Sequence, residues 1–114
     1  PLSGEEIEKA IAGNTLYVTG YSGSTSWEWA GYYQENGKAR ARNWWSGGEA
    51  TGRGTWRVDG NLLCTKWEED APWSEGEENC QRLYKDGNEL TYVVVEGPSN
   101  GGSGTLKRGN PYHL

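Results

Sequence analysis

Three short reversals constrain this 114-residue protein more than anything else in it: Asn36-Gly37, Asp59-Gly60 and Asp86-Gly87 each interrupt runs of strand-favouring residues. A type I′ turn needs positive φ at both central positions, which Asn or Asp followed by Gly tolerates best. Three such hairpins at similar intervals make a β-meander. The spacing predicts strands over residues 15–20, 26–34, 38–45, 50–58, 61–67, 79–85, 88–96 and 104–108. Pro111, after Gly109-Asn110, ends the last ladder. Closing eight such strands removes sheet edges that would invite aggregation. The expected fold is therefore all-β: a single domain over residues 1–114, an eight-stranded antiparallel up-and-down meander closing into a small barrel or half-barrel.

One helix precedes the meander. Ser3-Gly4-Glu5-Glu6 has the S-x-x-E form of a capping box, Leu2 is placed to staple onto Ile7, and Ile7, Ala10 and Ile11 repeat at helical spacing. Gly13-Asn14 supplies the stop. The helix spans about residues 4–12, and its narrow apolar stripe suits a plug over one end of the sheet.

Leu, Ile and Val together number only 15 and Phe is absent, a level that by itself points toward disorder. Seven Trp and seven Tyr reverse that reading, since each buries roughly 150–250 Å². Their N–H and O–H groups need partners, so the core has polar edges. The 18 Gly fall mainly at predicted strand ends.

The net charge of −5 argues against a nucleic-acid or anionic-membrane binder. No apolar run reaches the roughly 18 residues that span a bilayer. The sequence begins at Pro1 rather than Met, as a processed or trimmed protein does, and a removed signal peptide is expected. Charges are segregated: Lys38, Arg40, Arg42, Arg53 and Arg57 lie near the middle of the sequence, and the acids crowd residues 68–78. That loop has enough carboxylates for Ca²⁺ but lacks the alternating pattern that arranges them, so a solvated surface loop is the better reading. Cys64 and Cys80 flank it. An even count in a domain with few aliphatics favours a disulfide over buried free thiols. With His113 far away and no C-x-x-C spacing, neither a metal site nor a cofactor is expected.

Register, read from the turns, selects the inner face. Centring a reversal on Asp59-Gly60 sets Trp56 against Leu63 and puts Trp56, Val58, Leu63, Thr65 and Trp67 on the core side. The third hairpin puts Leu83, Leu90, Tyr92 and Val94 inward, with Cys80, Arg82 and Val93 opposite, so the cysteines meet outside the core. Centring the first hairpin on Asn36-Gly37 buries Ala30, Tyr32, Ala39 and Ala41. Trp29, Tyr33, Arg40, Arg42 and Trp44 then share the other side. Arginines stacked on indoles hold a carboxylate, sulfate or phosphate while the rings cover apolar ligand surface. The competing reading is an exposed ladder in which arginines shield aromatics. Trp73, amid the acids, is either a lid over the barrel mouth or an exposed anchor for a protein partner.

Gly54-Thr55-Trp56 through Leu63-Cys64, then Trp67, Cys80 and Gly109-Asn110-Pro111, resembles a group of small, uncharacterised secreted or periplasmic bacterial β-proteins, loosely lipocalin-like, with a G-T-W strand and two cysteines. The protein departs from lipocalins in its shorter length, its extra helix and a G-T-W that falls midway along the sequence rather than on the first strand. The resemblance implies export and a barrel, and no activity.

The resulting expectation is a periplasmic or secreted ligand-binding or interaction module. Its site would comprise Trp29, Tyr33, Arg40, Arg42, Trp44 and Trp73, for a small anionic or sugar-like ligand. Two alternatives stand beside it: a small barrel enzyme using a mouth carboxylate such as Glu28 as general base, and an inhibitor or structural partner of another exported protein.

Overall fold

The structure, a computed structural model, describes residues 1–68, 71–73, 76–97 and 101–114. Helix α1 (Gly4–Ile11) is followed by β1 (Asn14–Ser22), β2 (Thr25–Tyr33), β3 (Lys38–Trp45), β4 (Gly48–Asp59), β5 (Leu62–Trp67), β6 (Glu78–Asp86), β7 (Glu89–Glu96) and β8 (Gly102–Arg108). Each strand pairs antiparallel with its sequence neighbour, and β1 pairs with β8 to close the barrel. No helix among the described residues is long and apolar enough to cross a membrane.

The capping box forms: Ser3 Oγ accepts from the Glu6 amide and Glu6 Oε1 accepts from the Ser3 amide. Two orphan donors of the first turn are thereby satisfied. Ile7 and Ile11, one turn apart, are fully buried. They join Leu16, Leu63, Leu83, Leu90 and Leu106 in a cluster that fills this end of the barrel. The helix is pinned by Gly4 N–H to Asn61 Oδ1 at 2.9 Å and by Leu2 N–H to the Leu83 carbonyl at 2.7 Å. One end of the barrel is thus plugged.

The reversals differ from the sequence expectation in a way that decides the site. In the second hairpin Asp59 pairs with Leu62, so the loop is Gly60-Asn61. In the third, Asp86 pairs with Glu89 around Gly87-Asn88. The glycines take φ of +60° and +62°, and no Asn among the described residues has positive φ, so Gly is the first central residue rather than the second. Both registers move by two, which leaves every side chain on its expected face. Trp56, Val58, Leu63, Thr65 and Trp67 accordingly share the inner side, with Trp56 opposite Thr65 rather than Leu63.

The first hairpin moves by one. Its loop is Glu35-Asn36-Gly37, closed by Gln34 N–H to the Lys38 carbonyl at 2.8 Å, with Gly37 at φ +86°. This is the three-residue hairpin with a left-handed glycine. Tyr33 therefore faces Ala39, and an odd shift turns β2 over relative to β3. Trp29 and Tyr33 join Ala39 and Ala41 on the inner face, whereas Ala30 and Tyr32 take the outer face with Arg40, Arg42 and Trp44, Ala30 being fully buried there as expected. The expected grouping of Trp29 and Tyr33 with the arginines is incorrect.

Cys64 and Cys80 are directly opposed on β5 and β6 and form a disulfide outside the core cluster. The segment beyond β8 folds back across the outer wall. Tyr112 stacks on Tyr17 at 5.7 Å, and Gly109 is bound through both its amide, to Asn14, and its carbonyl, to Thr15.

Candidate functional site

A closed eight-stranded barrel has room for its own side chains or for one small ligand. The half packed against α1 takes the first option. The other half holds a cavity of about 680 Å³, within the range of small-molecule sites. The inward glycines of β4 and β8 do not open it but seat its walls: Trp73 packs over Gly52, Trp67 over Gly54, and Tyr92 over Gly102.

Its walls are of two kinds. Trp27 and Trp29 on β2, Trp45 on β3, Trp67 on β5 and Trp73 from the β5–β6 connection supply five indoles. Trp29, Trp67 and Trp73 meet edge to face, with centroids 5.6–6.1 Å apart, the arrangement favoured by ring quadrupoles. Asn79 and Gln81 on β6 and Thr65 on β5 supply polar groups. Since strands follow one another around the barrel, β2 and β6 stand across from each other. Trp27 and Trp29 therefore face Asn79 and Gln81, while Trp45 shares β3 with Asn43 and Trp67 shares β5 with Thr65. Gln81 and Thr65 make no side-chain hydrogen bond among the described residues. Asn43 donates to the Glu28 carbonyl at 2.9 Å, which leaves its own oxygen for the cavity. No charged side chain lines the space among the described residues.

Trp73 is seated as a lid against the cavity rather than as an exposed anchor. Glu68 N–H bonds the Arg53 carbonyl and Ala71 N–H bonds the Glu68 carbonyl. Ala71 is fully buried, and Trp73 packs on the core cluster. The indole N–H groups of Trp29 and Trp73 are buried without a hydrogen-bond partner among the described residues, whereas Trp56 donates to the Gln34 carbonyl at 2.8 Å.

Of the six residues expected to form the site, Trp29, Tyr33 and Trp73 line the cavity, and Arg40, Arg42 and Trp44 do not. Sequence reasoning missed Trp27, Trp45, Asn43, Asn79 and Gln81. The face parity of β2 would have added Trp27 once the first loop is taken as three residues. Glu28 is not a mouth carboxylate: it lies on the outer wall, where the Tyr17 hydroxyl donates to it. In the acidic loop, Glu69, Asp70 and Glu75 lie outside the described residues, and so does the question of a cation there. Among the described residues the one cluster with metal-ligand spacing is Cys64, Glu78 and Cys80, whose sulfurs are joined in the disulfide.

The hydrogen bond to Glu28, helped by burial, pushes the Tyr17 hydroxyl up to about 12. Burial raises Tyr33 and Tyr92 as well. A folded pKa above the unfolded value, about 10, gives stability that is complete below pH 10 and lost as pH rises through the folded value. Phenolate absorbance should therefore appear in two phases, the later one together with loss of β-sheet circular dichroism. All seven tyrosines ionising in one phase near pH 10, with the dichroism unchanged, would contradict this.

No protein-family model, curated protein or solved structure matches this protein.

Proposed function

We propose that the protein is a ligand-binding module that holds one small, uncharged, ring-bearing molecule in the open half of its barrel. The observation that carries this reading is the neutral cavity of about 680 Å³ lined by five indoles and by the amides of Asn43, Asn79 and Gln81. A molecule with a flat apolar face and hydroxyl or carbonyl edges matches both kinds of group. A charged ligand would lose its water without meeting a counter-charge. The ligand is therefore sugar-like rather than anionic. The disulfide supports an oxidising compartment, periplasmic or secreted. Catalysis by Glu28 finds no support, because that carboxylate is outside the cavity.

The test is calorimetric titration of the full-length protein with methylumbelliferyl β-glucoside, a neutral aryl sugar, beside native mass spectrometry of freshly purified material. One site is expected, weakened about tenfold by Gln81→Leu through loss of one hydrogen bond. No binding by this probe or other neutral glycosides, together with an unliganded native mass, would overturn the proposal.

A further inference from the structure

The outer wall of β3 and β4 gathers three arginines. Arg40 and Arg53 are directly opposed across the ladder, and Arg42 lies two residues along on the same face. Like charges in register on an antiparallel pair are unfavourable, the more so as neighbours within about 5.5 Å. This occurs in a protein whose net charge is −5. Glu68 reaches Arg53 at 3.3 Å, whereas Glu49 approaches Arg42 Nε only to 4.0 Å. Arg40 has no ion pair among the described residues. Arg42 Nε is buried without a hydrogen-bond partner among the described residues.

Together these groups border a concavity of about 260 Å³, whose walls include Thr51 and the tail residues His113 and Leu114. The tail is held in place. The Asn110 side chain makes two hydrogen bonds of 2.8 Å to Leu114, and the Tyr112 carbonyl accepts from Arg42 Nη1 at 3.4 Å. The concavity therefore exists before any ligand arrives. Guanidinium groups bind tetrahedral oxyanions through paired N–H donors, and Thr51 adds a neutral hydroxyl.

We infer that Arg40, Arg42 and Arg53 form a second site, on the outside of the barrel, for a phosphate or sulfate group. The group is either the free ion or a monoester on a larger molecule. The site is independent of the cavity, from which β3 and β4 separate it.

Thermal unfolding of the full-length protein tests this with inorganic phosphate, sulfate, glycerol 3-phosphate, and sodium chloride at matched ionic strength. Phosphate or sulfate at ten times Kd should raise Tm by roughly 5 °C beyond chloride. Arg40→Gln and Arg42→Gln should each abolish the rise, and Gln81→Leu should keep it. Without anion, Arg40→Gln should melt no lower than the parent, because it relieves the repulsion with Arg53. A tighter response to glycerol 3-phosphate than to phosphate identifies the monoester form, and the reverse identifies the free ion. A rise equalled by chloride, or retained in Arg40→Gln, would overturn the site. So would an Arg40→Gln protein that melts several degrees lower without anion, since the arginine would then be structural.

Discussion

Removing the disulfide by Cys64→Ala with Cys80→Ala is expected to destabilise the protein by about 3 kcal/mol, the chain-entropy value for a loop of 16 residues. The position argues against a smaller effect. The connection between β5 and β6 runs from residue 68 to residue 77, longer than the two- and three-residue hairpin loops. The disulfide pins the register there, at the directly opposed pair Cys64 and Cys80. The same register places Thr65 beside Asn79 and Leu63 beside Gln81, the polar wall of the cavity. Both cysteines are also almost fully buried, so truncation leaves unfilled space. Urea unfolding of the parent, the parent with reductant, and the double variant measures the effect. A loss below about 1 kcal/mol would mean that strand pairing alone sets this register.

The fold was largely legible because each hairpin carries its own local instruction. Strand number, order and the plugging helix follow from turns, a capping box and alternation. What failed was the position of the reversal, by one or two residues. Asp-Gly and Gly-Asn are both competent pairs, and Asp59-Gly60-Asn61 and Asp86-Gly87-Asn88 each contain both. Ladder energetics choose between them. The even shift there cost nothing, while the odd shift at Glu35-Asn36-Gly37 moved Trp29 and Tyr33 from the outer wall into the cavity. Parity, not turn type, decides which residues can form a site.

The cavity itself was less legible, because its lining residues come from β1, β2, β3, β5, β6 and β7 and from the β5–β6 connection, and only barrel closure sets them around the same space. Charge segregation has a similar origin. The arginines of β4 and the loop acids are apart in sequence yet adjacent in the barrel: Arg53 meets Glu68 at 3.3 Å and Arg57 meets Glu78 at 2.8 Å. Arg57 accordingly holds the Glu78 carboxyl below its usual range. Arg53, Glu68 and Arg57 are exposed and Glu78 is half-buried, so solvent screening leaves these pairs little stability to add. They tie the start and end of the acidic connection to β4, beside the lid.

Gly52→Val is expected to lift that lid. A Cβ at Gly52 would lie 2.6 Å from the Ala71 Cβ and 2.8 Å from two ring atoms of Trp73, closer than any packed contact allows. The strand cannot yield, because Gly52 is paired to Ala41 within the closed ladder. The connecting segment must yield instead, taking Trp73 away from Trp29 and Trp67. The loss of Ala71 burial and two edge-to-face contacts amounts to roughly 1–3 kcal/mol of stability. Tryptophan emission should shift to longer wavelength as Trp73 meets water, and glucoside binding should weaken about tenfold or more. Trp73→Ala separates the lid from the strand: it removes the same indole without a clash at Gly52, and should reproduce the binding loss. If Gly52→Val left emission and binding unchanged, Trp73 would not be what closes the cavity. If Trp73→Ala bound more tightly than the parent, the indole would be filling the ligand's place rather than covering it.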